Sequence, residues 1–210
     1  MMRMTDTQAS GDAGFTMVEM AVVSVLMVLV LGVAYMLMDV SGRMVDQAQA
    51  TSIASDEARI ALDRMGQELR QSMEITDTAG VFAGTAGMGT RQMILYCDLK
   101  HDNYVDRITY YMSGQSLMRK ETSATTQIGV TSAPAWRAET TPKAVVARIS
   151  PTYTGAIFTY FKPDGTAATT PAAASAVNVH IVDQVISGKV TVNVDMSSYT
   201  RIRSVLNSIN

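Results

Sequence analysis

The chain has 210 residues, and 17 Lys and Arg against 19 Asp and Glu give it a net charge of −2. This balance excludes a strongly basic nucleic-acid-binding protein and an acidic, solvating chain. Cys97 is the one cysteine in the sequence, so an intrachain disulfide is excluded as well.

The first predicted element is an apolar helix that contains one charged residue. Phe15 to Met38 comprise 24 residues, and Glu19 alone among them is charged. At about 1.5 Å per residue they span roughly 36 Å as a helix, enough to cross a bilayer. A charge in such a span is costly and indicates a function with a partner group. The alternative is a capping box, in which Thr16 and Glu19 satisfy free amides at the helix start.

The helical pattern continues beyond this span. Residues 39–75 carry four Arg against seven acids, and we interpret them as an amphipathic spine. All five prolines follow residue 133, so none interrupts one long helix from about Thr16 to about Met73. Apolar residues recur along the spine at three- or four-residue steps over much of its length: Val40, Met44, Ala48, Ala58, Leu62, Met65, Leu69 and Met73.

A glycine-rich stretch at 76–90 ends the helix and predicts a flexible loop. Short strand-like runs follow, with turns predicted at Ser113-Gly114 and at Pro163-Asp164-Gly165. The runs are MILYC, RITYYMSGQSLMRKE, AVVARI, AIFTYF, AVNVHIV and KVTVNV. We therefore predict an α+β fold, in which a long N-terminal helix packs on an antiparallel β-sheet head at 76–210.

Residues Gly14 to Met20, GFTMVEM, closely resemble the processing site of type IV prepilins and type II secretion pseudopilins. That family has Gly, then Phe-Thr-Leu-(Val/Ile)-Glu-Leu, then about twenty apolar residues. Met17 and Met20 take the two Leu positions here. A secretory signal peptide fits less well, because its apolar core is shorter and its cleavage site follows that core.

The resemblance implies that residues 1–14 are a cytoplasmic leader. A prepilin peptidase would cut between Gly14 and Phe15, and the new Phe15 amine would be N-methylated. Thr16 and Glu19 would act in assembly. Residues 15–38 would serve as the transmembrane helix and later as the fibre core. The implied location is the inner membrane, with the head outside, and then a cell-surface or periplasmic filament.

The implied partners are other pilins or pseudopilins, the peptidase and methyltransferase, the inner-membrane assembly platform and the bilayer; nucleic acid is not an expected direct partner. ITYYMSGQSLMRKE, FTYFKPDG and KVTVNV look like the heads of PilW-type minor pilins and J-type pseudopilins. This part of the resemblance indicates a minor subunit that acts in initiation or at the tip. The alternative is a single-pass membrane-anchored extracytoplasmic binding protein that does not polymerise.

Residues capable of chemistry are scarce. The sequence lacks the common hydrolase, zinc-protease and P-loop patterns, so we expect neither an enzyme nor a cofactor. Within CDLKHDNYVD, the residues Asp98, Asp102 and Asp106 are weak candidates for calcium, but they lack the D-x-D-x-D-G spacing. We interpret the cluster as an ordinary polar hairpin loop, with calcium binding as the alternative. We expect Cys97 to be a buried apolar residue and His180 to face solvent from its strand.

Overall fold

The computed structural model describes residues 15–72, 88–127, 135–170, 173–188 and 190–202. Helix α1 spans Met17–Arg70, close to the predicted bounds. Met73, Gly14 and the leader, most of the glycine-rich stretch and the chain after residue 202 lie outside the described residues. The strands are β1 (Gln92–Cys97), β2 (Tyr104–Ser113), β3 (Ser116–Gln127), β4 (Lys143–Val146), β5 (Phe158–Phe161), β6 (Ala176–Ser187) and β7 (Val190–Arg201).

The chain divides into two compact units, residues 1–45 and 46–210, and the boundary falls within α1. In the first unit every side chain from residue 15 to residue 45 is exposed. The only charged residues after Glu19 in this unit are Asp39 and Arg43, which form an ion pair of 2.7 Å one turn apart. The helix surface from Met20 to Met38 is therefore uncharged and almost entirely apolar.

In the second unit, α1 packs on two antiparallel sheets. One sheet has the order β1-β2-β3-β4 and the other β5-β6-β7. The α+β prediction with antiparallel pairing is confirmed, although we expected one sheet rather than two. Side chains from the helix and both sheets share one core, whose fully buried members include Met65, Leu95, Tyr110, Phe158 and Ile181.

The buried stripe of α1 differs from the prediction in its first half. Ala58, Leu62, Met65 and Leu69 are buried as expected. Val40, Met44 and Ala48 are exposed, so that part of the prediction is wrong. The helix face that meets the sheets begins instead at Ala50 and continues through Ala54. Ala48 lies two positions before Ala50, which is about 200° around the helix, and therefore points away from the sheets.

The predicted strands are all present, with small shifts at the turns. The β2–β3 turn consists of Gly114 and Gln115, one residue later than expected, and Ser113 pairs with Ser116. Gly114 has a φ of 61°, a conformation open to glycine without a steric cost. The Pro163-Asp164-Gly165 turn lies where we expected it, directly after β5. β6 and β7 form a hairpin of two 12-residue strands, longer than the runs seen in the sequence.

Candidate functional site

The start of α1 is built around Glu19. Its carboxylate Oε2 accepts hydrogen bonds from the Thr16 amide at 2.9 Å and from the Thr16 hydroxyl at 3.1 Å. In return, the Glu19 amide donates to the Thr16 hydroxyl at 3.2 Å. These reciprocal bonds are those of a capping box, the alternative that the sequence left open for this pair. Phe15 precedes the box and is 78% exposed, so its backbone amine would lie at an open helix end.

The helix that follows is long and apolar enough to cross a membrane. None of the residues in its apolar stretch is buried within the chain. A surface of this kind exceeds the apolar patches that soluble monomers expose. Its large side chains, such as Leu26, Leu29 and Val33, are all more than half exposed. By length and composition, this helix could therefore span a membrane.

The three candidate calcium ligands are occupied by protein groups. Asp98 accepts the amides of Asp102 and Asn103 at 3.2 Å each, and Asp102 accepts the amide of Tyr104 at 3.1 Å. Asp106 is buried and accepts the Ser123 hydroxyl at 2.5 Å. Across the described ranges, no three His, Cys, Asp or Glu side chains are grouped so that they could hold a metal ion. The arrangement is that of the polar hairpin loop, the alternative to a calcium site.

Cys97 and His180 have separate structural surroundings. Cys97 is buried at the end of β1, as expected, and burial raises the pKa of its thiol.

His180 lies on the outer side of β6, but the prediction that it faces solvent is only partly correct. Its side chain is 30% exposed, Nδ1 lies 2.7 Å from the Tyr153 hydroxyl, and Nε2 lies 2.6 Å from Asp195 Oδ1. These contacts join β6 to β7 and to the segment before β5.

Sequence reasoning missed a buried polar cluster between α1 and the first sheet. Glu68 on α1 accepts the Tyr110 hydroxyl at 2.5 Å and Arg119 Nε at 3.0 Å. Arg119 Nη2 lies 2.8 Å from the same Glu68 oxygen, an ionic contact without hydrogen-bond alignment. Arg64 adds a contact of 3.2 Å from the rim, and Arg119 Nη1 reaches Glu121 at 3.2 Å.

The cluster shifts the pKa values of its buried members. Burial, followed by the charge of Glu68, raises the pKa of Tyr110 well above its usual value. Burial lowers the pKa of Arg119, but the charge of Glu68 and the hydrogen bond to it outweigh that effect, so the pKa rises. Both groups therefore keep their protons, and the cluster fixes the position of α1 on β2 and β3.

A second missed feature is an unpaired carboxylate on β6. Asp183 is 1% exposed, and neither carboxylate oxygen has a hydrogen-bond partner within the described part of the chain. Burial, followed by the negative charge of Glu57 on α1, raises the pKa of Asp183 to about 6, although the amide of Gln184 acts in the opposite direction. Asp183 shares the inward side of β6 with Val177, Val179 and Ile181. Side chains alternate between the two faces of a strand, so this two-residue spacing could have indicated from the sequence that Asp183 is buried.

Comparison with known proteins gives no match: no family model, no curated protein and no solved structure is similar to this chain.

Proposed function

We propose that the chain is a structural subunit of a type IV pilus or type II secretion pseudopilus, processed between Gly14 and Phe15 and assembled through α1. The observation that carries the proposal is the position of Glu19. It is a lone carboxylate in the first turn of an exposed apolar helix, five residues after the glycine of a prepilin-like processing sequence. The exposed surface of the helix from Met20 to Met38 supports burial in a bilayer and then among neighbouring helices.

Removing the leader creates a positive amine at Phe15, one helical turn before Glu19. In a bundle of such helices, a carboxylate away from water requires a counter-charge. The Phe15 amine of a neighbouring subunit supplies it and, because the two groups must align, sets the register between subunits. The Thr16 hydrogen bonds hold the Glu19 side chain at the helix start until that partner arrives.

In this proposal the subunit sits in the inner membrane with its head outside, before it enters a cell-surface or periplasmic filament. Its partners are the peptidase and methyltransferase, the assembly platform, the bilayer and other pilins or pseudopilins. It needs no cofactor and catalyses no reaction. The head supports a minor role in initiation or at the tip, because its two sheets, with a hairpin of two 12-residue strands, make a bulky unit to repeat along a shaft.

Substitution of Glu19 tests the proposal. Glu19→Val removes the one charge in the span, so membrane insertion should be unchanged or improved while incorporation into filaments falls or fails. Asp39→Val is the matched control, because it removes the next acid along α1, an exposed carboxylate just beyond the apolar span. It should insert and assemble at close to the wild-type level.

Quantitative mass spectrometry of sheared filaments and of membranes measures both steps. If Glu19→Val enters filaments as well as the wild type, Glu19 is only a cap. If neither the wild type nor any variant enters filaments, the non-polymerising membrane-anchored protein becomes the better description.

A further inference from the structure

A groove beside α1 carries more positive than negative charge. It has a volume of about 320 Å³ and opens to solvent between the helix and the edge of the first sheet. Its lining includes Ile60, Arg64, Arg119, Glu121 and Lys143. β4 forms one wall and is the edge strand of its sheet, so no further strand of the described chain lies beyond it.

Two cations at the rim of the groove, Arg64 and Lys143, have N–H groups that are open to an incoming anion. Arg119 at the floor is 8% exposed and is held by Glu68 and Glu121. Arg64 donates a hydrogen bond from Nε to Glu68. Its side chain is 52% exposed at the rim, so the rest of its guanidinium group is open to solvent. Lys143 is exposed on β4 and makes no ion pair within the described ranges. The groove therefore offers an ammonium and part of a guanidinium to an incoming anion.

The same helix presents a complementary strip. Ile53, Asp56, Ile60 and Asp63 recur at three- and four-residue steps, so they share one side of α1. All four are exposed, Ile60 at 69%, and neither aspartate makes an ion pair with another described residue. The strip thus combines apolar contact area with two carboxylates, whose negative charge is complementary to that of Arg64 and Lys143 in the groove.

We propose that the groove docks the acidic strip of a second copy of this chain, with Asp56 and Asp63 of one copy against Arg64 and Lys143 of the other. Ile60 belongs to both surfaces. A two-fold arrangement therefore brings the two Ile60 side chains together near the axis and makes both charged contacts at once. The contact lies within residues 46–146 and goes beyond the proposed function, because it requires neither processing at Gly14 nor Glu19.

Cross-linking between isotopically distinct copies tests this. Full-length protein in non-ionic detergent micelles is prepared as an equal mixture of unlabelled and ¹⁵N-labelled chains and treated with a carbodiimide, which joins lysine amines to carboxylates in contact. Peptides that pair Lys143 with Asp56 or Asp63 should contain one labelled and one unlabelled partner in about half of the cases, as random pairing of copies requires. High salt should reduce their yield.

A matched pair of variants separates docking from chance collision. Ile60→Glu should reduce these mixed cross-links several-fold, whereas Ile186→Glu, which changes another exposed isoleucine, should leave them unchanged. Mixing Lys143→Glu chains with Asp63→Lys chains should restore a cross-link of reversed polarity between positions 63 and 143. Cross-links only within one copy, or mixed cross-links that spread over all lysines and ignore Ile60→Glu, would overturn the proposal.

Discussion

Asp183 should make the head less stable as the pH rises from about 4 to about 6. Its pKa is about 6 in the folded chain, against an ordinary value of 3.8. Between these values the folded state retains a proton that the unfolded state has released, so raising the pH favours unfolding. At a pH below both pKa values, Asp183 has no effect on the free energy of unfolding. At a pH above both, it lowers that free energy by a constant amount. Asp183→Asn removes this ionisation and should remove that part of the pH dependence.

The size of the effect follows from the shift. A difference of about 2 pKa units corresponds to roughly 3 kcal/mol of lost stability at neutral pH, at about 1.4 kcal/mol per unit. A buried amide at position 183 has its own unsatisfied groups, at a cost of about 1–3 kcal/mol. The informative quantity is therefore the change in the variant's relative stability between pH 4 and pH 7, not its stability at one pH.

Trp136 supplies the assay, because it is the one tryptophan in the sequence and stacks on Tyr96 in the head. Urea unfolding followed by its fluorescence, on full-length protein in non-ionic detergent, gives the free energy of unfolding at each pH. Relative to the wild type, Asp183→Asn should gain roughly 2–3 kcal/mol between pH 4 and pH 7. Asp39→Asn, which removes an exposed carboxylate outside the head, is the control and should run parallel to the wild type. If Asp183→Asn also runs parallel to the wild type, Asp183 is not held protonated by its surroundings.

Three further results are expected. Glu68→Gln should lower the free energy of unfolding by up to about 3–5 kcal/mol in the same fluorescence assay, because Arg119 loses the more buried of its two carboxylate partners. A loss below about 1 kcal/mol, typical of exposed ion pairs, would contradict the burial of the cluster. Cys97 should react with a thiol reagent only after urea unfolding, since its thiol is buried with a raised pKa; rapid labelling of the native protein would show that β1 opens. A variant that begins at Val40 should be monodisperse without detergent and unfold cooperatively, because it lacks the apolar surface from Met20 to Met38. Aggregation of this variant would place the head boundary elsewhere.

Local periodicity predicted the elements but not how the strands associate. The long helix and the strands β1 to β7 follow from three-to-four-residue and two-residue patterns, which depend only on neighbours in the chain. The division into two sheets depends on which strands pair, and no local pattern specifies that. The start of the buried helix stripe was missed because its residues, Ala50 and Ala54, are alanines, which add little to a hydrophobic pattern. Val40 and Met44 are more apolar, yet they are exposed.

The candidate site at the helix start was predictable because its residues lie within one helical turn of each other in the sequence. The Thr16 and Glu19 hydrogen bonds span three positions, which a motif captures directly. The buried cluster was not predictable in this way, since Glu68 is 42 positions from Tyr110 and 51 from Arg119. Each of its charged members resembles a solvated surface residue when considered alone. Their association arises from tertiary packing.

The most direct test of the proposed function is the N-terminus of the mature chain. The full-length protein would be expressed with a prepilin peptidase, recovered from membranes and analysed by intact-mass and N-terminal mass spectrometry. A Gly14→Glu variant, which should resist cleavage through steric and charge mismatch, is the control. We predict that the wild-type chain begins at Phe15 with a methylated amine, and that the variant retains residues 1–14. A wild-type chain that still begins at Met1, or one cut at another position, would contradict the assignment to a pilin-like subunit.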